Sequence, residues 1–170
     1  HFYDASGKIT YKFDQHNRFS MMGYISNDEF STSSQSVTKY GNVLANLNVN
    51  TRLSENLYSD IEYSHSNYTY RLTDFANGNP PESYYLDNQL EYNSGHLHFR
   101  WHPHPQHHVV AGVKAVRHAI SPGKITPVEE TTLIENRVLE NEKAFEWAVY
   151  LGDEYDFLPN LSFSAGIRYS

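Results

Sequence analysis

Apolar and polar residues alternate along this chain in long runs, and four tight polar turns punctuate the runs. The clearest run places Val43, Ala45, Leu47, Val49 and Leu53 at one parity and Asn42, Asn46, Asn48, Asn50 and Arg52 at the other. Thr51 is the mild break on the apolar side and Leu44 the break on the polar side. A period of two puts these sets on opposite faces of one strand. The amides and the guanidinium belong in water rather than in a close-packed core. The last run repeats the pattern, with Leu161, Phe163, Ala165, Ile167 and Tyr169 against Ser162, Ser164, Gly166, Arg168 and Ser170. Shorter or weaker versions are Ile9–Phe13, Leu57–Tyr63, Val109–Ile120 and Phe145–Phe157. One run changes phase: Leu86, Leu90 and Tyr92 share one parity, whereas Leu97, Phe99 and Trp101 share the other. A bulge at Asn93-Ser94-Gly95 is the expected device for such a switch.

The tight turns are Asp14-Gln15-His16-Asn17, Ser54-Glu55-Asn56, Pro103-His104-Pro105-Gln106 and Pro159-Asn160. Between them lie the looser polar stretches Asn27–Tyr40, Thr73–Ser83 and Ser121–Lys143. About eight strands in about four hairpins follow, joined by loops too long for ordinary hairpins. Short turn, long strand, long loop, long strand is how an up-and-down β-barrel crosses a bilayer. The expected class is therefore all-β, an antiparallel up-and-down transmembrane β-barrel segment. Its lipid-facing band would contain Val43, Ala45, Leu47, Val49, Leu57, Ile61, Val113, Phe163, Ala165 and Ile167. A soluble sandwich would instead bury that band under a second sheet.

Composition narrows the picture. With 170 residues the chain suits one domain. No run approaches the roughly 20 apolar residues of a spanning helix, and mean hydropathy is -0.65. A barrel escapes that test because only alternate residues meet lipid. Tyr 14 and Phe 9 suit aromatic girdles at the two interfaces. The formal charge of -7 argues against a nucleic-acid partner. Without cysteine there is no disulfide and no thiolate ligand or nucleophile. The chain starts at His1 with no visible secretory signal, which says nothing about localisation.

Near the C-terminus a motif emerges. Glu146, Tyr150, Asp153 and Leu161, followed by Gly166-x-Arg168-Tyr169, resemble a barrel hairpin of the TonB-dependent outer-membrane transporters. Phe19–Phe30 and Leu57–Arg71 look like strands of such a barrel running into external loops. The resemblance implies a barrel of about 22 strands closed by a separate plug domain. This chain, as a whole (1–170), would then be a segment of the barrel domain, about a third of the wall, with neither the plug nor the segment that contacts TonB. Its expected place is the bacterial outer membrane. Its partners would be outer-membrane lipid, the plug, TonB, and a metal chelate, glycan, cobalamin or peptide ligand.

Candidate chemistry is sparse. His96, His98, His102, His104, His107 and His108 crowd one hairpin, and imidazole is the commonest metal ligand. His96, His98, His107 and His108 are weak metal candidates beside the plainer reading of a polar turn stiffened by Pro103 and Pro105. Asp60, Glu62, Glu91, Glu146, Arg100 and Arg168 are expected to pair inside a lumen. Aromatic rings with an arginine grip sugars, chelates or proteins at low entropic cost. On that ground Tyr68, Tyr70, Arg71, Phe75, Tyr84 and Tyr85, around the Asp74–Pro81 loop, are the ligand-binding candidates. The longest loop, with Leu133, Ile134, Val138 and Leu139, is expected to form a short helix or hairpin over the mouth. No catalytic motif, cofactor site or firm metal site is visible, so the chain reads as a non-enzyme. Two alternatives stand beside the transporter: a complete small barrel acting as adhesin or structural anchor, and a soluble carbohydrate-binding sandwich.

Overall fold

The computed structural model describes residues 1–33, 36–75, 82–129 and 134–170. All of its strands belong to one antiparallel sheet. Eight long strands follow one another in space as in sequence: β1 (Phe2–Lys12), β2 (Arg18–Ser33), β3 (Ser36–Ser54), β4 (Leu57–Asp74), β5 (Tyr84–Trp101), β6 (His107–Pro127), β8 (Glu142–Leu158) and β9 (Leu161–Tyr169). A two-residue strand, β7 (Arg137–Val138), folds back onto β6 at Lys124 and Ile125. β1 and β9 are the two edges of the sheet and do not pair with each other. The two-sheet sandwich is not the arrangement formed.

Odd-numbered residues share one face from β1 to β9, because the ladders pair odd with odd over most of their length. Register shifts occur only toward strand ends, at Ser31/Ser33, Arg52/Ser54, Asp87/Gln89 and Asp156/Leu158. A one-residue slip elsewhere would carry every apolar side chain to the other face. The expected band is found as one surface: Phe19, Val49, Ile61, Leu97, Val113 and Val149 are consecutive cross-strand neighbours. It is uncovered, with Ile61 49%, Val113 46% and Ile167 73% exposed. Among the described residues the only buried apolar side chains are Val116 and Ala148, both on the even face. A sheet one layer thick cannot bury its apolar side against itself, so that side requires an apolar medium.

Three sequence expectations need correction. Most of the stretch Asn27–Tyr40 is strand: Asn27 pairs Gly41, and the ladder continues to Ser31 opposite Val37. Ser121–Lys143 is likewise strand at both ends, since β6 runs to Pro127 and β8 starts at Glu142. Both stretches looked like loops because they are polar, yet a strand wet on both faces has no reason to alternate. The third correction concerns the phase change. β4 and β5 pair without interruption from Tyr84 to Trp101, so no bulge sits at Asn93-Ser94-Gly95. The nearby irregularity lies at Asp87/Gln89, where β6 carries the extra residue beside Pro122-Gly123. Proline cannot donate to a ladder, which favours a break there. The backbone of β5 keeps its phase; what inverts is the chemistry of its two faces.

That inversion divides the sheet into two storeys. Toward the tight turns the odd face is apolar and the even face polar. Beyond Tyr63 the odd face carries His65, Asn67, Thr69 and Arg71 on β4, opposite Asn93, Glu91, Gln89 and Asp87 on β5. The even face there carries Tyr68, Tyr70 and Leu72 opposite Leu90, Asn88 and Leu86. Glu91, expected among the lumen carboxylates, therefore lies on the opposite face, where it accepts a hydrogen bond from Asn93 Nδ2 at 2.7 Å.

The turns are tied as the polar sequence suggests. Asp14 accepts from the backbone N–H groups of His16 and Asn17 at 2.7 and 2.8 Å and from Asn17 Nδ2 at 2.6 Å. These bonds hold the Asp14 carboxyl below its ordinary pKa, the Asn17 side chain contributing most. Neighbouring hairpins are stitched by His102 N–H to Asn56 O at 2.8 Å and Asp156 N–H to Gln106 O at 2.8 Å. Leu133 of the expected mouth-covering segment lies outside the described residues; Arg137–Val138 forms β7, and Leu139 N–H bonds Gly123 O at 3.0 Å.

Candidate functional site

The even face of the lower storey is a continuous polar wall. Register places Arg18, Asn50, Asp60 and His98 side by side on β2, β3, β4 and β5. Arg18 donates to Asn50 Oδ1 through Nε and Nη2 at 3.0 and 2.6 Å. Asn50 Nδ2 donates to Asp60, and Arg100 Nη2 meets the other Asp60 oxygen at 3.1 Å. The Tyr58 ring lies 5.8 Å from the Arg52 guanidinium carbon and 5.7 Å from that of Arg100. Lys12, His16, Arg18 and Arg100 line a 680 Å³ hollow beside Asp60. The Asp60–Arg100 pair was expected. Exposed ion pairs contribute at most about 1 kcal/mol, and with Arg100 half exposed this network orders side chains more than it stabilises the sheet. Glu62 accepts from Asn46 Nδ2 at 3.0 Å and Ser64 Oγ at 3.2 Å. Glu146 lies 3.8 Å from His118 Nε2.

Parity breaks up the histidine cluster. His107 and His108, adjacent in sequence, point to opposite faces. His107 Nδ1 meets Asp153 Oδ2 at 2.6 Å on the odd face, with its ring 4.7 Å from that of Tyr155. On the even face His108 lies 2.9 Å from His102 Nδ1 and 3.1 Å from Asp156 Oδ2. The weak metal candidates His96, His98, His107 and His108 are not brought together: His107 stands on the odd face and the other three on the even face. Among the described residues no three histidine or carboxylate side chains converge as metal ligands.

His96 and His98 meet a different residue. The Tyr150 hydroxyl of β8 lies 2.9 Å from His96 Nε2 and 2.6 Å from His98 Nδ1 of β5. Strand β6 runs between them, and the residue of β6 opposite Tyr150 is Gly112. A Cβ at Gly112 would collide with the Tyr150 ring and hydroxyl and lie 2.7 Å from the Leu97 carbonyl oxygen. The missing side chain is thus the notch through which Tyr150 crosses a whole strand. Sequence reasoning did not join these residues, which stand more than 50 positions apart. Parity with the inter-strand register is the only signal that brings them together.

The tyrosine candidates also divide by face. Tyr68, Tyr70 and Tyr84 stand on the even face of the upper storey, whereas Arg71 and Tyr85 stand on the odd face. Arg71 binds Asp87 at 2.5 and 3.0 Å and lies over the Tyr85 ring at 5.3 Å. The Asp87 hydrogen bond raises the Arg71 pKa above the usual arginine value. Phe75 marks the entry to the loop, and residues 76–81 lie outside the described ones. Among the described residues, Tyr68, Tyr70 and Tyr84 therefore stand on one face and Arg71 and Tyr85 on the other.

No protein-family model matches the chain, and no curated protein matches it. Two solved structures share its fold. The copper transporter OprC matches 98% of this chain with a TM-score of 0.78 at 11% identity, and the match spans 27% of that chain. The translocator domain of the autotransporter NalP from Neisseria meningitidis matches 98% with a TM-score of 0.50 at 9% identity, spanning 59% of that chain. Both are outer-membrane β-barrels, so the fold is that of an outer-membrane barrel wall. In a barrel wall of this fold an apolar face meets lipid and a polar face the lumen, which is the contrast the odd and even faces of the lower storey present.

Proposed function

We propose that the chain forms part of the barrel wall of a TonB-dependent transporter in the bacterial outer membrane. An external ligand, whether metal chelate, glycan, cobalamin or peptide, binds at the loops and the plug. TonB displaces the plug, and the ligand passes to the periplasm along the polar even face. The wall does no covalent chemistry. The observation that carries this reading is the pairing of an uncovered apolar band with a wet, ion-bearing opposite face in a sheet whose two edge strands do not pair with each other. An eight-stranded barrel is filled by side chains or encloses one small ligand, so an open passage across the membrane needs many more strands. The hairpin Glu146–Tyr169 supports the family reading: Glu146, Tyr150 and Arg168 share the lumen face.

A barrel serving as anchor or translocator is the second reading, favoured by the likeness to the autotransporter domain. Heat-shift electrophoresis of the membrane-extracted protein, followed by ligand uptake with and without TonB, separates the cases. Transporter function predicts a heat-modifiable membrane species whose uptake stops without TonB. Heat modification with TonB-independent behaviour leaves the anchor. A water-soluble species without a heat shift removes both.

A further inference from the structure

We propose that His96, His98 and Tyr150 form a transition-metal site on the lumen wall, suited to copper(II). This inference stands on the geometry of three side chains and does not depend on the transport reading. Two imidazole nitrogens and one phenol oxygen converge from strands that are not neighbours. The oxygen is 2.9 Å from one nitrogen and 2.6 Å from the other. An ion bound at about 2.0 Å separates ligands at right angles by roughly 2.8 Å and tetrahedral ligands by roughly 3.3 Å. The observed spacings match the right-angle case. Nitrogen and oxygen donors in a tetragonal arrangement favour copper(II) over zinc.

Carboxylates and cations both stand around the three donors. Glu62 and Asp60 are the register partners of His96 and His98 on β4, and both carboxylates lie on the same face. Arg100, two residues along β5 from His98, is held by Asp60 at 3.1 Å. Lys114 stands opposite His96 on β6 and Arg168 opposite Tyr150 on β9, and both line the hollow beside Val116 and Glu146. On binding, the Tyr150 hydroxyl would release its proton and coordinate as phenolate, while both histidines coordinate as neutral rings. Copper keeps its oxidation state throughout. The notch at Gly112 adds the structural argument: the residue of β6 over which the phenol must pass is a glycine, where a Cβ would collide with it.

The test uses the intact protein in detergent, titrated with copper(II) and followed by electron paramagnetic resonance and visible absorption. A bound phenolate gives a ligand-to-metal charge-transfer band that imidazole or carboxylate ligation lacks. Expected are one copper per chain, that band, and its loss in Tyr150→Phe. His96→Asn with His98→Asn should weaken binding by at least about tenfold, the scale of a lost metal contact. A His102→Asn, His108→Asn variant should keep both affinity and band. Heat-shift electrophoresis confirms that each variant is folded. The proposal is overturned if the band is absent, or if copper binding survives loss of the His96/His98 pair. It is equally overturned if binding depends on the turn histidines instead. Copper binding in a protein that shows no TonB-linked uptake would leave this site standing and remove the transport reading.

Discussion

Strands β4 and β5 show two environments on one uninterrupted ladder. Below Tyr63 and Gly95, Ile61 and Leu97 face outward while Asp60, Glu62, His96 and His98 face inward. Above them, Asn67, Arg71, Glu91 and Asp87 face outward while Tyr68, Leu72, Leu86 and Leu90 face inward. Nothing in the backbone changes between the storeys. On the proposed reading the medium outside changes from lipid to water, and the outward side chains change with it. Composition along a barrel strand therefore reports depth in the membrane as much as it reports strand phase.

The sharpest way to break this comparison is a charge in each storey on the same outward face. Val113→Arg, in the centre of the band between Leu97 and Val149, should cost about 2–4 kcal/mol of folding stability in lipid, whereas Asn93→Arg in the upper storey should cost about 0–1. Urea titration in liposomes measures both. Equal costs would mean the inversion does not mark the membrane boundary.

Next in size is the bare position on the inner face. Gly112→Ala forces Tyr150 from its place and crowds the Leu97 carbonyl. A loss of about 1–3 kcal/mol is expected from such overpacking. The same titration on Gly112→Ala combined with Tyr150→Ala should recover part of it. An alanine tolerated without cost would show that Tyr150 does not need the notch.

Asp60→Ala tests the polar wall of the lower storey. It strips Asn50 and Arg100 of their shared acceptor. Because Arg100 is half exposed, the expected loss is only about 1 kcal/mol. A loss as large as that of the band variant would make the lumen network, rather than the lipid face, the support of the fold.

The smallest effect belongs to the tight turn. The folded Asp14 carboxyl titrates below its ordinary value of 3.8. Its contribution is therefore fully present above that value and is lost as pH falls through the folded pKa. The stability difference between the wild type and Asp14→Ala should be constant near neutrality and shrink in acid. A difference that grows in acid would contradict the hydrogen-bonded turn.

Parity alone revealed the class of fold, the tight turns and the composition of the apolar band. A two-residue period is a local property and needs no tertiary information to be read. It misled where the environment, rather than the strand, set the polarity: Asn27–Tyr40 and the ends of Ser121–Lys143 read as loops, and Asn93-Ser94-Gly95 read as a bulge. The histidine cluster shows the other limit. Sequence closeness joined His107 and His108, which the pleat sends to opposite faces, and it missed Tyr150, which two ladders carry to His96 and His98.

The sequence by itself determined that this chain forms long strands with one face apolar, because side chains alternate whatever surrounds them. Only the tertiary structure decided which residues meet. Strand register, set by ladders between distant segments, converts parity into position, and the absence of a side chain at Gly112 lets a tyrosine reach across a strand to two histidines.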